Sequence, residues 1–135
     1  MDERCQKARR LRAIQQQLCQ IEQWKLADLQ RQVAELECLQ QDLLAALSDA
    51  DALQDLFLDA RARRLRRLAE QLTQVSSQQQ LQTHQLLQQS SRARMAASLS
   101  QRAEQDASRA AERQDLYRLI ETFLTRDRQA SGKIA

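Results

Sequence analysis

The sequence predicts an all-α fold: a long antiparallel two-helix coiled-coil hairpin with an overhanging C-terminal helix. Three observations predict it. Glutamine, leucine, alanine and arginine, all good helix formers, supply 84 of the 135 residues. The chain has one glycine and no proline, so strong turn signals are scarce. Its apolar residues recur with the period of a helix face, whereas a sheet protein would need β-branched strands and glycine-rich turns.

The first helix is predicted over residues 4–47. Its large apolar residues between Leu11 and Leu47 lie on average 3.6 residues apart, the spacing of one helix face. A gap of five residues between Ile21 and Leu26 predicts a stutter, where the supercoil locally relaxes. Because a wet apolar stripe is unfavourable, we expect this helix to pack against another helix.

A turn is predicted at residues 48–52, where the sequence reads Ser-Asp-Ala-Asp-Ala. Serine and aspartate compete for backbone hydrogen bonds and therefore favour helix ends over helix interiors. Asp51 and Gln54 together resemble a capping box at the start of the next helix. A short connection between two long helices makes them antiparallel neighbours.

The second helix is predicted over residues 53–126, followed by a frayed tail at 127–135. The polar stretch 76–80 indicates either a weakened part of this helix or a second turn. With the turn centred near residue 50, the first helix runs out of partner near residue 95, so the alanine-rich segment beyond it overhangs. We expect the whole chain, 1–135, to form a single coiled-coil rod, monomeric or weakly dimeric.

The overhang ends in an ideal amphipathic stripe, at offsets 0, 3, 4, 7 and 8 along the helix. A stripe without an intrachain partner predicts a surface that binds another protein. The residues of this candidate surface are Leu116, Leu119, Ile120, Phe123 and Leu124.

A basic run and a lone tryptophan are further candidates for partner binding. The run has five arginines in seven positions: Arg61, Arg63, Arg64, Arg66 and Arg67. It either meets an anionic partner or forms a solvated face whose arginine stems cover the leucine seam. Trp24 either packs at the edge of the seam or anchors a partner, since tryptophan is enriched among interface hot spots.

The sequence predicts no enzyme, no cofactor and no small-molecule substrate. Cys5, Cys19 and Cys38 are too far apart for a zinc knuckle, and His84 is the only histidine. No apolar run approaches the roughly 18 residues of a membrane span, and the charged N-terminus does not resemble a signal peptide. Acidic and basic residues are interleaved, with a net charge of +3, which does not favour nucleic-acid binding. A cytoplasmic location is expected.

Three stretches resemble the FliJ/YscO-type proteins of flagellar and type III secretion export. They are the arginine-rich, leucine-patterned opening Arg9–Ile14, the long run Leu26–Leu36, and the late stretch Ala110–Leu116. The resemblance implies a small cytoplasmic α-helical coiled coil that acts as a stalk of the hexameric export ATPase, peripheral to the membrane export complex. It also implies binding to the export gate protein and escort of substrate chaperones, without catalytic residues.

Two other functions compete with the export stalk. One is a generic coiled-coil scaffold or adaptor that self-associates through its apolar stripe. The other, which the sequence favours less, is a basic helical protein that binds nucleic acid through residues 61–67, where no aromatic side chains interleave with the arginines. A monomer with an exposed arm favours the stalk, a stable dimer favours the scaffold, and steep salt dependence of DNA binding favours the third.

Overall fold

The chain folds as an all-α helical hairpin in which two long helices pack against each other, as predicted. The computed structural model describes residues 3–48 and 55–134. Helix α1 spans Glu3–Ser48 and helix α2 spans Asp55–Ile134. Ser48 closes α1, and its hydroxyl donates to the carbonyl oxygen of Ala45 at 2.9 Å. The rest of the predicted turn, including the capping pair Asp51 and Gln54, lies outside the described residues.

The hairpin divides into two units, and each helix contributes to both. The central unit comprises residues 16–92. The terminal unit comprises the described residues 3–15 of α1 and 93–134 of α2.

The central unit has a seam of the kind found in coiled coils, because a line of covered residues recurs at spacings of three and four along both helices. Leucine and valine fill the part of this seam nearest the turn, where Leu68 is the most deeply buried. Further along, the seam becomes polar. Gln32, Ser76 and Ser90 are half-buried beside this line. The positions that form the line on α1 are Cys19, Glu22, Leu26, Leu29, Val33, Leu36, Gln40, Leu43 and Leu47. On α2 they are Leu58, Arg61, Leu65, Leu68, Leu72, Val75, Gln79, Gln82, Leu86 and Gln89.

Three cross-helix contacts fix the antiparallel direction of the central unit. The guanidinium of Arg61 donates to the carbonyl oxygen of Ala46 at 3.4 Å. The side-chain amide of Gln82 donates to the carbonyl oxygen of Glu22 at 3.1 Å. Further along, the Cys19 thiol lies 3.7 Å from the Ser90 hydroxyl. Positions on α2 rise as positions on α1 fall, as an antiparallel pair requires.

The terminal unit has a seam of small side chains. Cys5, Ala96, Ser100 and Ala103 are buried, and Ala8 and Ala107 are half-buried. Small residues let two helix backbones approach closely, since the interaxial distance depends on the side chains between them. A salt bridge from Arg9 Nε to Glu104 Oε1, at 2.9 Å, flanks this seam. The alanine-rich segment is therefore a packing surface up to residue 107.

The predicted start of the overhang, near residue 95, is wrong. Arg9 pairs with Glu104, and covered positions continue to Ala107, so the exposed part of α2 begins at residue 108. The physical reason is the register of the pair: Arg61 bonds to Ala46, so the pairing is centred beyond the predicted turn centre at residue 50. Residues 108–132, hereafter the tail, are all exposed.

The predicted stutter between Ile21 and Leu26 is absent from the seam. The covered line passes through Cys19, Glu22 and Leu26 without interruption. Ile21 is exposed, because it lies one residue before a seam position and so points about 100° away from it. At this point the line of large apolar residues moves to a different face of α1, while the seam between the two helices stays in register.

Helix α2 is continuous through residues 76–80, so the weakened-helix interpretation holds and the second turn does not. Ser76 and Gln79 are half-buried there. Helix α2 extends to Ile134, eight residues beyond the predicted helix end at 126. No proline interrupts this segment, and Gly132 does not adopt a positive φ. Ala135 lies outside the described residues.

Candidate partner-binding surface

The tail carries the five predicted stripe residues on an uncovered helix. Their exposed fractions run from 51% for Ile120 to 65% for Phe123. Every residue from 108 to 132 is exposed, so the remaining covered fraction of each of these side chains comes from neighbouring turns of the same helix. A contiguous exposed apolar stripe of this kind marks an interaction site.

Sequence reasoning missed one member of this surface, Tyr117, which is 67% exposed. Tyr117 lies three residues before Ile120 and seven before Leu124, so helical periodicity puts it on the flank of the same arc. That spacing could have identified it. A tyrosine offers a large apolar ring with a polar tip, a combination enriched at interfaces.

The opposite face of the tail is polar. The hydroxyls of Thr122 and Thr125 donate to the carbonyl oxygens four residues earlier, at 2.8 and 2.7 Å. A shallow cleft on this face is lined by Arg118, Glu121, Thr122, Thr125, Arg126 and Gln129. The tail is therefore two-faced, and only one face lacks a favourable environment in water.

Most of the stripe is rotated away from the line of the hairpin seam, and Leu124 is the stripe residue that falls on that line. Extending the spacing of Ser100, Ala103 and Ala107 along α2 leads to residues 110, 114, 117, 121 and 124. Leu116, Ile120 and Phe123 each lie one residue before such a position, and so point about 100° away. The same rotated line also includes Met95 and Leu99, exposed at 65% and 52%.

The basic run divides into a structural part and an exposed part. Arg61 is half-buried and donates to Ala46, one of the last carbonyls of α1, which have no partner within their own helix. A cation at a helix C-terminus is also favourable for the helix dipole. Arg64 lines a groove with Leu39, Leu43 and Leu68, as expected for an arginine stem over the seam.

Arg64 is exposed as well, and the other exposed arginines of the run are Arg63, Arg66 and Arg67. These three lie three and four residues apart, so they share one outward face of α2. They remain a candidate anionic-partner surface, whereas Arg61 contacts the other helix and Arg64 lies over the seam.

Trp24 is 62% exposed, so it does not pack at the edge of the seam. Beside it, Lys25 pairs with Glu22 at 3.5 Å. The α1 residue level with Arg64 is Leu43, nineteen positions from Trp24, which is about 28 Å along a helix. The structure therefore does not bring Trp24 and the basic run into one surface of the central unit.

The cysteines and the histidine occupy separate environments. Cys5 is buried in the terminal unit, Cys19 lies against Ser90, and Cys38 is exposed. His84 is exposed, with its Nε2 atom 3.3 Å from the side-chain nitrogen of Gln88. None of the helices in the described ranges is long and apolar enough to cross a membrane.

A polar layer crosses the central seam at Gln82. Gln82 is buried, and its amide donates both to the carbonyl oxygen and to the carboxylate of half-buried Glu22. A buried polar group needs such partners, since leaving it unsatisfied costs about 1–3 kcal/mol. The layer therefore ties one point of α1 to one point of α2.

Gln82→Ala is expected to lower the free energy of unfolding by about 1–2 kcal/mol, because the half-buried Glu22 carboxylate loses its cross-helix donor. Gln80→Ala, which removes an exposed glutamine from the same helix, is the matched control and should change it by less than about 0.5 kcal/mol. Urea denaturation followed by circular dichroism measures both. Equal values for the two variants would contradict a role for the polar layer.

The terminal unit contains a groove that the sequence did not predict. Leu11 and Leu99 face each other across it, and the groove is lined by Arg4, Lys7, Ala8, Leu11, Leu99, Arg102, Ala103 and Asp106. The sequence predicts Leu11 and Ile14 in the packed apolar stripe of α1, but their side chains are 42% and 53% exposed. The signal that identifies them as flanking residues is the heptad-compatible spacing of the covered residues around them, Cys5, Ala8 and Gln15, which lie three and seven residues apart.

Comparison with known proteins gives no match to a protein-family model, a curated protein or a solved structure.

Proposed function

We propose that this protein is a non-enzymatic coiled-coil component of a bacterial flagellar or type III protein export apparatus. In this role it acts as a stalk or adaptor that binds the export ATPase ring and the export gate protein, with substrate chaperones as further partners. It works in the cytoplasm, at the periphery of the membrane export complex. The tail carries the proposal: its helix extends past the packed part of the hairpin and has an apolar stripe open to a partner.

Three features support a binding role over a catalytic one. The exposed stripe is the kind of surface that associates with another helix or groove. The exposed arginines 63, 66 and 67 offer charge for steering towards an acidic partner. Catalytic groups, by contrast, need a pocket that perturbs their pKa values, and the grooves between these two helices are open and shallow.

The alternative, a self-associating scaffold, is favoured by one observation, the same exposed stripe, since a second copy could cover it. The two functions differ in what the protein binds. The stalk requires a different protein as its main partner, whereas the scaffold requires only further copies of this chain.

Direct binding of the full chain to the purified export ATPase, and to the cytoplasmic part of the gate protein, tests the proposal. We expect Arg63→Glu with Arg66→Glu to weaken binding by about 3- to 10-fold, mainly through a slower association rate, because rim charges act on encounter. Gln71→Glu with Gln74→Glu, exposed positions on the same helix, is the control for added negative charge. Calorimetry or surface plasmon resonance measures both, and the proposal fails if neither export protein binds the unmodified chain.

A further inference from the structure

We propose that in the free protein the tail stripe is covered by the same stripe of a second copy, in an antiparallel pair centred on Ile120. This inference goes beyond the proposed function, because it concerns the state of the protein before any other partner binds. It assigns the chain itself as the occupant of the surface, and it does not depend on which protein later displaces that copy.

The apolar centre of the tail is symmetric about Ile120. Leu116 lies four residues before it and Phe123 three residues after it, on the same side of the helix. In an antiparallel pair centred on Ile120, Leu116 therefore lies within one residue, about 1.5 Å along the axis, of the level of the partner's Phe123. On the opposite flank Tyr117 also lies within one residue of the level of the partner's Leu124, so the exposed aromatic and aliphatic side chains cover one another.

The charges at the two ends of the stripe select the antiparallel direction. Arg113 and Asp127 lie seven residues before and seven after Ile120, two helical turns away, and both point in its direction. Each Arg113 then faces the partner's Asp127. A parallel pair would instead place arginine beside arginine and aspartate beside aspartate, and like charges facing each other are destabilising.

A second charge pair supports the same register. Glu112 and Arg126 lie on one flank of the stripe, eight residues before and six after Ile120, and an antiparallel pair brings them to nearly the same level. In the described part of the chain, none of the side chains of residues 112, 113, 126 and 127 makes an ion pair. These four side chains are exposed, so their charges are open to a second molecule.

The face of each helix that points away from the partner in this pair is polar, as a face exposed to water should be. Arg118, Thr122 and Thr125 point away from Ile120, and the two threonines already bond to carbonyl oxygens of their own helix. The paired segment is about 24 Å long from residue 112 to residue 128, so the interface is small. We therefore expect a weak, reversible dimer that another partner can displace.

Charge reversal tests the register. Arg113→Asp alone, or Asp127→Arg alone, places like charges opposite each other at two symmetric sites and should weaken dimerisation by at least about 10-fold, or about 1.4 kcal/mol. The double variant restores opposite charges and should return to within about 3-fold of the unmodified protein. Arg118→Asp, which reverses a charge on the outward face, is the matched control and should leave the dimer unchanged. Sedimentation equilibrium at low ionic strength measures all four.

Disulfide trapping gives a second measurement. In a Cys38→Ser background, which removes the exposed native thiol, Ile120→Cys should form a covalent dimer on oxidation and Thr122→Cys should not. A chain that stays monomeric up to about 100 µM, above the range of most specific weak complexes, overturns the proposal. A dimer that ignores the charge reversals, or that is trapped equally through residue 122, overturns it as well. A monomer that still binds an export protein would overturn the dimer and leave the proposed function in place.

Discussion

Replacing Leu68 with alanine is expected to lower the free energy of unfolding by about 2–4 kcal/mol, the usual cost of truncating a buried leucine. Leu68 is 9% exposed and lies against Leu39 and Leu43 in the apolar part of the central seam. A two-helix core is thin, because each helix covers only one side of the other. The loss is therefore a large fraction of the total stability of a small protein.

Leu87→Ala is the matched control for Leu68→Ala. Leu87 is on the same helix and is 63% exposed, so its truncation should change the free energy of unfolding by less than about 0.5 kcal/mol. Urea denaturation followed by circular dichroism at 222 nm compares the two variants on one helical signal. Similar midpoints for both would mean that the seam is not the main source of stability.

The double variant Leu119→Asp, Phe123→Asp is expected to weaken binding to the export ATPase or the gate protein by at least about 100-fold, as removal of central apolar anchors usually does. Helix content and the unfolding midpoint should change little, because residues 108–132 are all exposed and do not form part of the packed seam. The prediction thus separates binding from folding within one protein.

The control for that variant is Thr122→Asp with Thr125→Asp. It adds the same two charges to the same helix, but on the polar face. Fluorescence anisotropy or calorimetry measures binding, and thermal unfolding by circular dichroism measures stability. Global unfolding of the Leu119/Phe123 variant would mean that the tail is part of the core. A folded variant that binds as before would move the interface elsewhere, with arginines 63 and 66 as the next candidates.

The helical hairpin was predictable because composition and periodicity point to the same answer at every level. Nothing in the chain competes with helix strongly enough to end it, apart from the serine and aspartates near residue 50. The pairing was less predictable. The offset of the two helices depends on where each helix ends and begins, and sequence patterns locate helix ends only to within a few residues.

The residues of the seam were less predictable than the helices, because the size of an apolar side chain does not indicate its burial here. Leu11 and Ile14 are large and exposed, whereas Cys5, Ala96 and Ala103 are small and buried. Close backbone approach favours small side chains at the contact, so hydrophobic size is a poor guide there. The spacing of three and seven residues through Cys5, Ala8 and Gln15, which fits a heptad repeat, is the better predictor.

The candidate surface was predicted in part. The tail stripe is exposed as five residues, and Tyr117 extends it. In the basic run, position on the helix decides the role: Arg61 reaches the end of α1, while Arg63 points outward. The sequence of the run does not distinguish the roles of these two arginines, since residues within one helical turn point in different directions, some towards the seam and others towards solvent.

The polar layer at Gln82 and Glu22 has a consequence for alignment. A heptad pattern matches itself after a shift of seven residues, so apolar layers alone would tolerate sliding of one helix along the other. After such a slide Glu22 would face the region of Val75 or Gln89 instead of Gln82, and a carboxylate against valine is heavily penalised. Each slide would also transfer seven residues of α2, about 10 Å of helix, between the packed segment and the tail. The Gln82–Glu22 pair thus fixes the register of the two helices, and with it the length of α2 that remains free to bind another protein.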